Sequence, residues 1–326
     1  MKPHHIAIVI PAKNEESNLS RVLAGLRKAI DNYGGKCEVF LVDNGSTDAT
    51  PEIARSHGCK VIFDDGNTIA KLRNAGARHA DCDVVGFLDA DCIVDPGWLN
   101  LCMEKLSEAG IGIVGTRAVP DLARATWVEE GWYRLISGSP RPDYPKWLGT
   151  SNLLVRKEAF DGVGGFDEAL ETAEDVDFCR KVGRDFRLYL EKRIDTIHLR
   201  ESNSIPSLFR RELWRGKNSL AQFIKSNDKK AEALSVITPV IYSISHIALL
   251  VAALLMSSHV FAILAFTLLL PLFMIFKKRP ALDGVVSFLK VYAVAYFYLL
   301  ARSLAVILEA RDMLLKFGSN RCFSRS

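Results

Sequence analysis

Residues 84–91, "VVGFLDAD", place two carboxylates one residue apart at the end of an apolar run. A third acid, Asp95, follows four positions after Asp91. The apolar run predicts a buried strand. Acids gathered at the end of such a strand repel one another unless a cation lies between them. The stretch is therefore either an acidic turn or a site for a cation.

Around this stretch, short apolar runs alternate with amphipathic helical patterns over residues 1 to about 200. The predicted strands are "IAIVIPA" (6–12), "CEVFLVD" (37–43), "KVIFD" (60–64) and "VVGFLDAD" (84–91). The first helical pattern repeats at i, i+3, i+4 and i+7 through Leu19, Val22, Leu23, Leu26 and Ile30. A second helix begins at the Thr50-Pro51 start signal, and a third covers residues 67–80. This alternation predicts an α/β fold with a mostly parallel sheet and helices on both faces.

Three polar stretches follow three of these strands. They are "PAKNEE" (11–16), "VDNGSTD" (42–48) and "LDAD" (88–91). Ligands of parallel α/β sheets bind beyond the carboxyl ends of the strands, which lie along one edge. We therefore expect a binding site where these three stretches meet.

The composition excludes several classes of protein. The net charge of +4 over 326 residues does not indicate a nucleic-acid binder. The seven cysteines show no C-x-x-C pair and no matching histidine spacing, so we predict reduced thiols rather than a disulfide framework or a zinc site. The apolar run at residues 6–12 is too short for a signal peptide.

Two long apolar stretches in the C-terminal part predict a membrane anchor. Residues 236–256 and 259–276 are each close to the ~20 residues that cross a bilayer core, and a short turn joins them. A basic, amphipathic segment (201–235) precedes this hairpin, and Lys277, Lys278 and Arg279 follow it. Positive flanks favour the cytoplasmic side. We therefore predict a cytoplasmic domain at residues 1–200, tethered to the inner membrane by a hairpin over 236–276.

The last segment, residues 277–326, has a third apolar stretch that charges interrupt. Lys290, Arg302 and Glu309 lie within it, and a charge near the membrane centre is costly. An interfacial amphipathic helix over residues 285–312 is the favoured interpretation, with a third span as the alternative.

The acids of residues 89–91 admit three interpretations. A capped strand end is the first. A calcium loop is excluded because the spaced acids, glycine and final glutamate of an EF-hand are absent. The third is a site for Mg²⁺ or Mn²⁺ with a phosphorylated ligand, since these ions take one or two carboxylates and substrate oxygens. If the chain continues extended, Asp89 and Asp91 point to the same side. Lys71 and Arg73, near the same edge of the sheet, are cations suited to a diphosphate.

The polar stretches, read with "NAGARHA", "GTSNLLVRKEAFDGVGGFDEAL" and "AEDVDFCRKV", resemble the motifs of family 2 glycosyltransferases of the GT-A fold. The resemblance covers roughly residues 5–200. It implies a nucleotide-sugar donor, with a UDP-sugar expected first, a divalent metal (Mg²⁺ or Mn²⁺), and inversion at the anomeric carbon. The C-terminal hairpin resembles the membrane tether of many bacterial members.

The resemblance also implies roles for individual positions. Those that match the nucleoside-binding motifs are Pro11, Asn14, Glu15 and Asp43. Those that match the metal-binding D-x-D are Asp89 and Asp91, with His198 as a further metal or diphosphate ligand. The run Gly164, Gly165, Phe166 and Asp167 matches the segment on the acceptor side. Glu174 and Asp175 match the catalytic pair, with Asp175 as general base. An inverting transfer needs one such base opposite the leaving diphosphate.

One departure separates this sequence from processive polysaccharide synthases. These carry a Q-x-x-R-W motif before their membrane helices, whereas residues 211–215 here, "RELWR", lack the glutamine and reverse the last two residues. We therefore predict transfer of a single sugar to a lipid-linked or other membrane-associated acceptor. A processive synthase and a non-catalytic scaffold of the same fold are the alternatives.

Overall fold

Two units make up the chain in a computed structural model, which describes residues 4–137, 141–217, 219–225 and 229–323. The first, here called the sheet unit, comprises Met1–Leu122 and Arg141–Glu201. The second, the helical unit, comprises Ala123–Pro140 and Ser202–Ser326. Residues 123–140 thus group with the C-terminal helices, although they fall inside the range that the sequence predicts for the first domain.

The sheet unit alternates strands and helices as the sequence predicts. Its strands are β1 Ile6–Ala12, β2 Cys37–Asp43, β3 Lys60–Phe63, β4 Val84–Leu88, β5 Cys92–Ile93, β6 Ile111–Pro120, β7 Asn152–Arg156 and β8 Arg187–His198. Its helices are α1 Glu16–Tyr33, α2 Thr50–Ser56, α3 Ile69–Arg78, α4 Trp98–Leu106, α6 Lys157–Gly162 and α7 Glu174–Val182.

The eight strands form one mixed sheet in the order β3-β2-β1-β4-β7-β6-β8-β5. The half from β3 to β4 is parallel, which confirms the α/β prediction. Strand β7 is antiparallel to both β4 and β6, whereas β6 and β8 are parallel. The carboxyl ends of β1, β2 and β4 therefore lie along one edge, where the polar stretches follow.

Helix α1 shows why the periodic pattern forms a helix at this place. Leu19, Val22, Leu23 and Leu26 are buried on one face, and they pack into the core formed by β1 and β4. The helix ends at Gly34, whose φ of 67° lies in the left-handed region that glycine adopts without strain. Its N–H donates to the carbonyl of Ile30 and closes the last turn.

An extended chain after β4 was the condition under which Asp89 and Asp91 would point to the same side. The chain turns there instead, and the N–H of Cys92 donates to the carbonyl of Asp89 at 3.0 Å. The short strand β5 that follows pairs antiparallel with the end of β8, so that Cys92 lies opposite His198. The turn therefore carries Asp89 and Asp91 to the end of β8.

The helical unit contains α5 Trp127–Ser137, α8 Ile205–Arg215, α9 Ser219–Lys225, α10 Lys229–Leu254, α11 Val260–Lys278 and α12 Val285–Phe323. Apolar side chains from α5, α8, α11 and α12 pack together in its core. Three stretches are long and apolar enough to cross a membrane, namely Val236–Leu254, Val260–Lys278 and Val285–Met313. Two of them match the predicted hairpin.

The third stretch lies in one continuous helix, and each of its interrupting charges has a partner within the helical unit. Lys290 pairs with Glu130 of α5 at 3.1 Å. Arg302 donates to the Ser219 hydroxyl, and Glu309 accepts from the N–H of Leu220. Pairing lowers the cost of a charge in an apolar environment. By its length and composition, α12 can therefore form a third membrane span, and the interfacial position is the other interpretation.

The packing of α3 against the sheet yields a first prediction. A Cβ on Gly76 would lie 2.3 Å from Cγ1 of Val9 and 3.0 Å from Cγ2 of Val42, both fully buried. Gly76→Ala should overpack this contact and lower the free energy of unfolding by about 1–3 kcal/mol. The measurement is the thermal unfolding midpoint of the full chain in detergent, followed by tryptophan fluorescence.

Gly162→Ala is the matched control, because its Cβ would meet no atom within 4 Å. It should leave the midpoint unchanged or raise it slightly. Equal midpoints for the two variants would show that α3 does not press on β1 and β2 as described.

Candidate active site

Four side chains converge where the β4–β5 turn meets the end of β8. Asp89, Asp91, Cys92 and His198 each offer a ligand atom, and these atoms lie within 4.8 Å of one another. Nε2 of His198 is 3.7 Å from Oδ1 of Asp91. The cluster forms because β5 pairs with β8, which brings together residues more than a hundred positions apart in sequence.

The chemistry of this cluster fits Mg²⁺ or Mn²⁺. Carboxylate oxygens suit both ions, and an imidazole is compatible with a first-row transition metal. The Cys92 thiol is buried and donates to Oδ1 of Asp91 at 3.7 Å, and oxygen ligands suit these two ions better than sulfur. Burial raises the pKa of Asp91, and the charge of Asp89 adds to this. Nδ1 of His198 is 3.6 Å from Oε1 of Glu201, so the ring lies between that carboxylate and the carboxylate of Asp91. A cation between Asp89 and Asp91 would offset the repulsion of these two acids.

Arg73 connects this cluster to α7. Its guanidinium is 2% exposed and donates to Asp89 Oδ1 and to Glu174 Oε1, both at 2.8 Å. The sequence placed Arg73 as a cation facing a diphosphate, but the structure buries it between two carboxylates. The reason is its position on α3, where Ala70, Arg73 and Ala77 share the face turned to the interior.

Asn74, which the sequence analysis missed, fixes the segment expected on the acceptor side. Its side-chain amide donates to the carbonyl of Phe166 and accepts from the N–H of the same residue, both at 2.9 Å. A Cβ on Gly165 would lie 2.6 Å from Asn74 Oδ1, which explains a glycine here. A polar residue on the buried stripe of α3 was the signal available in the sequence.

The segment itself differs from the expectation at one position. Phe166 was placed on the acceptor side, but its ring is buried and packs 4.4 Å from the ring of Phe178, centroid to centroid. Gly164 and Gly165 have φ of 76° and 78°, and this left-handed pair turns the ring inward. Asp167 stays exposed, where its carboxylate accepts from the N–H of Ala169.

Asp175 is the acid of α7 that lacks a cationic partner among the described residues. Burial raises its pKa to about 6, and the charge of Glu174 adds to the effect. Its Oδ1 accepts from the N–H of Val176 at 2.8 Å. Glu174 is instead neutralised by Arg73. Two adjacent carboxylates thus have different environments, as expected where one is kept for proton transfer.

The residues expected around a nucleoside meet at the ends of β1 and β2. Pro11 pairs with Val42 in the sheet, and Asp43 ends β2. Asp43 is buried, and its Oδ1 lacks a hydrogen bond within the described residues, although Oδ2 accepts from the N–H of Ser46. A buried acceptor without a donor is costly, and a base N–H would satisfy it.

Asn14 and Glu15 continue from β1 over the same edge. Asn14 has φ of 55°, and its side-chain oxygen accepts from the N–H of Thr47. Glu15 pairs with Arg200, which follows β8. Lys71 is 3.5 Å from Asp64, so its ammonium is engaged at the neighbouring loop. The structure thus brings these residues and the acidic turn after β4 to one edge, and Arg73 links that turn to Glu174, the neighbour of Asp175.

The double ion pair of Arg73 yields a second prediction. Arg73→Met would leave Asp89 and Glu174 without their shared partner, and breaking a buried pair costs about 3–5 kcal/mol. Arg78→Met, on the same helix, removes an exposed pair with Glu168 and should cost no more than about 1 kcal/mol. The thermal midpoints of both variants in detergent are the measurement. Equal shifts would contradict the central place of Arg73.

Comparison with known proteins bears on the family and the fold. Residues 7–158 match the family described as glycosyl transferase family 2. Glycosyltransferase AglE of Haloferax volcanii is 27% identical over 185 residues, which are 54% of this chain and 60% of that protein. Undecaprenyl-phosphate 4-deoxy-4-formamido-L-arabinose transferase of Edwardsiella ictaluri is 31% identical over 143 residues, or 41% of this chain and 42% of that protein. The chain thus spans about half the length of these relatives.

The fold is similar to that of a mannosyltransferase, PcManGT from Pyrobaculum calidifontis, solved with GDP-Man and Mn²⁺. The TM-score is 0.67 at 18% identity, over 93% of this chain and 87% of that one. This similarity shows the fold, and the family match comes from the sequence. With the mixed sheet and the acidic turn after β4, the chain has a GT-A fold, and its residues 7–158 match glycosyl transferase family 2.

Proposed function

We propose that this protein transfers a single glycosyl group from a nucleotide-sugar donor to a membrane-associated acceptor, with inversion at the anomeric carbon. The observation that carries the proposal is the division of the acids into two sets. Asp89 and Asp91 lie with His198 at one place, and Asp175, whose pKa is about 6, lies on α7. A metal-assisted transfer with a separate base requires this division.

In the proposed reaction, the acceptor O–H gives its proton to the carboxylate of Asp175. The acceptor oxygen forms a bond to the anomeric carbon of the donor, and the bond from that carbon to the diphosphate oxygen breaks. The nucleoside diphosphate leaves with the electron pair of that bond. Asp89, Asp91 and His198 would hold a divalent cation, which would supply positive charge for the departing diphosphate. Glu174 stays paired with Arg73 and fixes the start of α7.

The proposed donor site is the edge formed by Pro11, Asn14, Glu15 and Asp43. The free Oδ1 of Asp43 is the acceptor for a base N–H. A UDP-sugar is expected from the sequence, whereas the structurally similar PcManGT was solved with GDP-Man. Both uracil and guanine carry a ring N–H, so Asp43 is compatible with either, and a panel of donors must include both.

The proposed acceptor is lipid-linked and is used at the cytoplasmic face of the inner membrane. Three helices that meet the length and composition of membrane spans support an anchor. One relative is named for transfer involving undecaprenyl phosphate. The basic residues Lys277 and Lys278 at the end of α11, and Arg279 directly after it, favour the cytoplasmic side for that end.

The direct test is donor turnover by the full chain in detergent. UDP- and GDP-sugars are supplied with Mn²⁺ or Mg²⁺ and a bacterial lipid extract, and nucleotide release is followed. Release that requires both metal and lipid supports the proposal, and the mass of the lipid product distinguishes one added sugar from a polymer. Absence of both release and nucleotide binding would favour the non-catalytic scaffold.

The role of Asp175 yields a third prediction. Asp175→Asn should lower the rate of release by about 10²–10⁴-fold, the usual contribution of a general base, without weakening donor binding. In the wild type, a base with a pKa of about 6 should give a rate that falls about tenfold per pH unit below that value and is constant above it. The variant should lose this pH dependence.

Asp177→Asn is the matched control, since Asp177 lies on the same helix but is paired with Arg180 and Lys181. It should keep the rate and the pH dependence. If Asp177→Asn loses as much activity as Asp175→Asn, or if the acid limb persists in the latter, another group is the base.

The metal cluster yields a fourth prediction. Asp91→Asn and His198→Ala should each weaken Mn²⁺ binding at least about tenfold, because the first removes the negative charge of a ligand and the second removes a ligand atom. Mn²⁺ binding is measured by the loss of the free-ion EPR signal in the presence of UDP or GDP. Asp95→Asn, outside the cluster, should bind Mn²⁺ like the wild type, and unchanged binding by His198→Ala would exclude the imidazole as a ligand.

A further inference from the structure

The backbone of Leu148 forms both of its hydrogen bonds with one side chain, the thiol of Cys179. The N–H of Leu148 donates to Sγ at 3.4 Å, and the thiol donates to the carbonyl of Leu148 at 3.5 Å. Leu148 is 2% exposed, so neither backbone group has access to water. Buried backbone groups without partners cost about 1–3 kcal/mol each. The thiol therefore fixes the segment at this residue.

The segment that begins at Leu148 runs past the proposed base toward the metal turn. A Cβ on Gly149 would lie 4.0 Å from Oδ2 of Asp175. Two residues later, the carbonyl of Ser151 accepts from the N–H of Asp89 at 3.1 Å. Residues 148–151, here called the wall, thus lie beside the carboxylate of the proposed base and hydrogen-bond to the acidic turn.

Cys179 and Asp175 lie one turn apart on α7. Leu148 of the wall bonds to the first, and Gly149 lies beside the second. The thiol therefore fixes the distance between this face of the helix and Gly149. Burial raises the pKa of the Cys179 thiol to about 12, so it stays protonated at neutral pH and can donate and accept at once. An alanine offers neither function, whereas a serine offers both over a slightly shorter reach.

We infer that Cys179 is a positioning residue for the proposed transfer, because its thiol holds residues 148–151 against the carboxylate of Asp175. The inference rests on the proposed function for the role of Asp175, but the bond between the thiol and Leu148 does not. Without the thiol, the wall moves away from α7, water reaches Asp175, and the base loses its fixed position opposite the acceptor.

The first experiment is amide hydrogen exchange, measured by mass spectrometry on overlapping peptides that span Leu148. The full chain in detergent is compared with Cys179→Ala, Cys179→Ser and Cys102→Ala. Cys102 is the matched control, because its thiol is fully buried on α4 and makes no hydrogen bond within the described residues. We expect at least about tenfold faster exchange at Leu148 in Cys179→Ala, since about 1.4 kcal/mol corresponds to tenfold. Cys179→Ser should stay near the wild type, and Cys102→Ala should not change this segment.

The second experiment is the pH dependence of nucleotide release by the same variants. Cys179→Ala should lower the rate and move the acid limb below that of the wild type, because a more hydrated carboxylate has a lower pKa. Cys179→Ser should restore the limb. A purely structural loss of stability lowers the amount of active protein and leaves the limb in place.

The outcomes separate the two proposals. Unchanged exchange at Leu148 in Cys179→Ala, or the same change in Cys102→Ala, overturns the inference. An acid limb that stays in place in Cys179→Ala also overturns it. A wild type that releases no nucleotide from any donor counts against the proposed function, and the exchange experiment then still decides whether the thiol holds the segment.

Discussion

The arrangement of the site depends on one buried charge, the guanidinium of Arg73. A cation removed from water needs opposite charges at hydrogen-bonding distance. One terminal nitrogen of Arg73 donates to Asp89 and the other donates to Glu174. One partner follows β4 and the other begins α7, two elements that are distant in sequence. The burial of Arg73 therefore requires these two elements to meet, and their meeting places the acidic turn beside the first turn of α7.

The same ion pairs decide which acids remain for chemistry. Asp89 and Glu174 share the charge of Arg73, whereas Asp91 faces His198 and Asp175 has no cationic partner among the described residues. Phe178 of α7 packs against Phe166, and Phe87 on β4 contacts Phe166 edge to face. Apolar packing thus holds one face of α7, while Arg73 holds its first turn. A site held by both is fixed before substrate arrives.

Local patterns in the sequence predicted the elements, because periodicity reports which face of each element is buried. The stripe of α1, the parallel strands and the two first apolar helices follow from such patterns. The turn at Asp89, the inward ring of Phe166 and the burial of Arg73 did not, since each depends on a partner from a distant segment. The resemblance suggested His198 as a further metal or diphosphate ligand, but only the pairing of β5 with β8 shows that it lies beside Asp91. Motif resemblance named the site residues, but their pairing needed the structure.

The pKa of Asp175, the proposed base, depends on the same contacts that hold α7 in place. Burial raises the pKa of Asp175, the neighbouring charge of Glu174 raises it further, and the more distant Arg73 lowers it. Arg73 pairs with Glu174 at 2.8 Å. The ion pair that brings α7 to the acidic turn therefore also sets the environment of the proposed base. A carboxylate with a pKa of about 6 is basic enough to take a proton and is still ionised at neutral pH. General-base catalysis requires both properties.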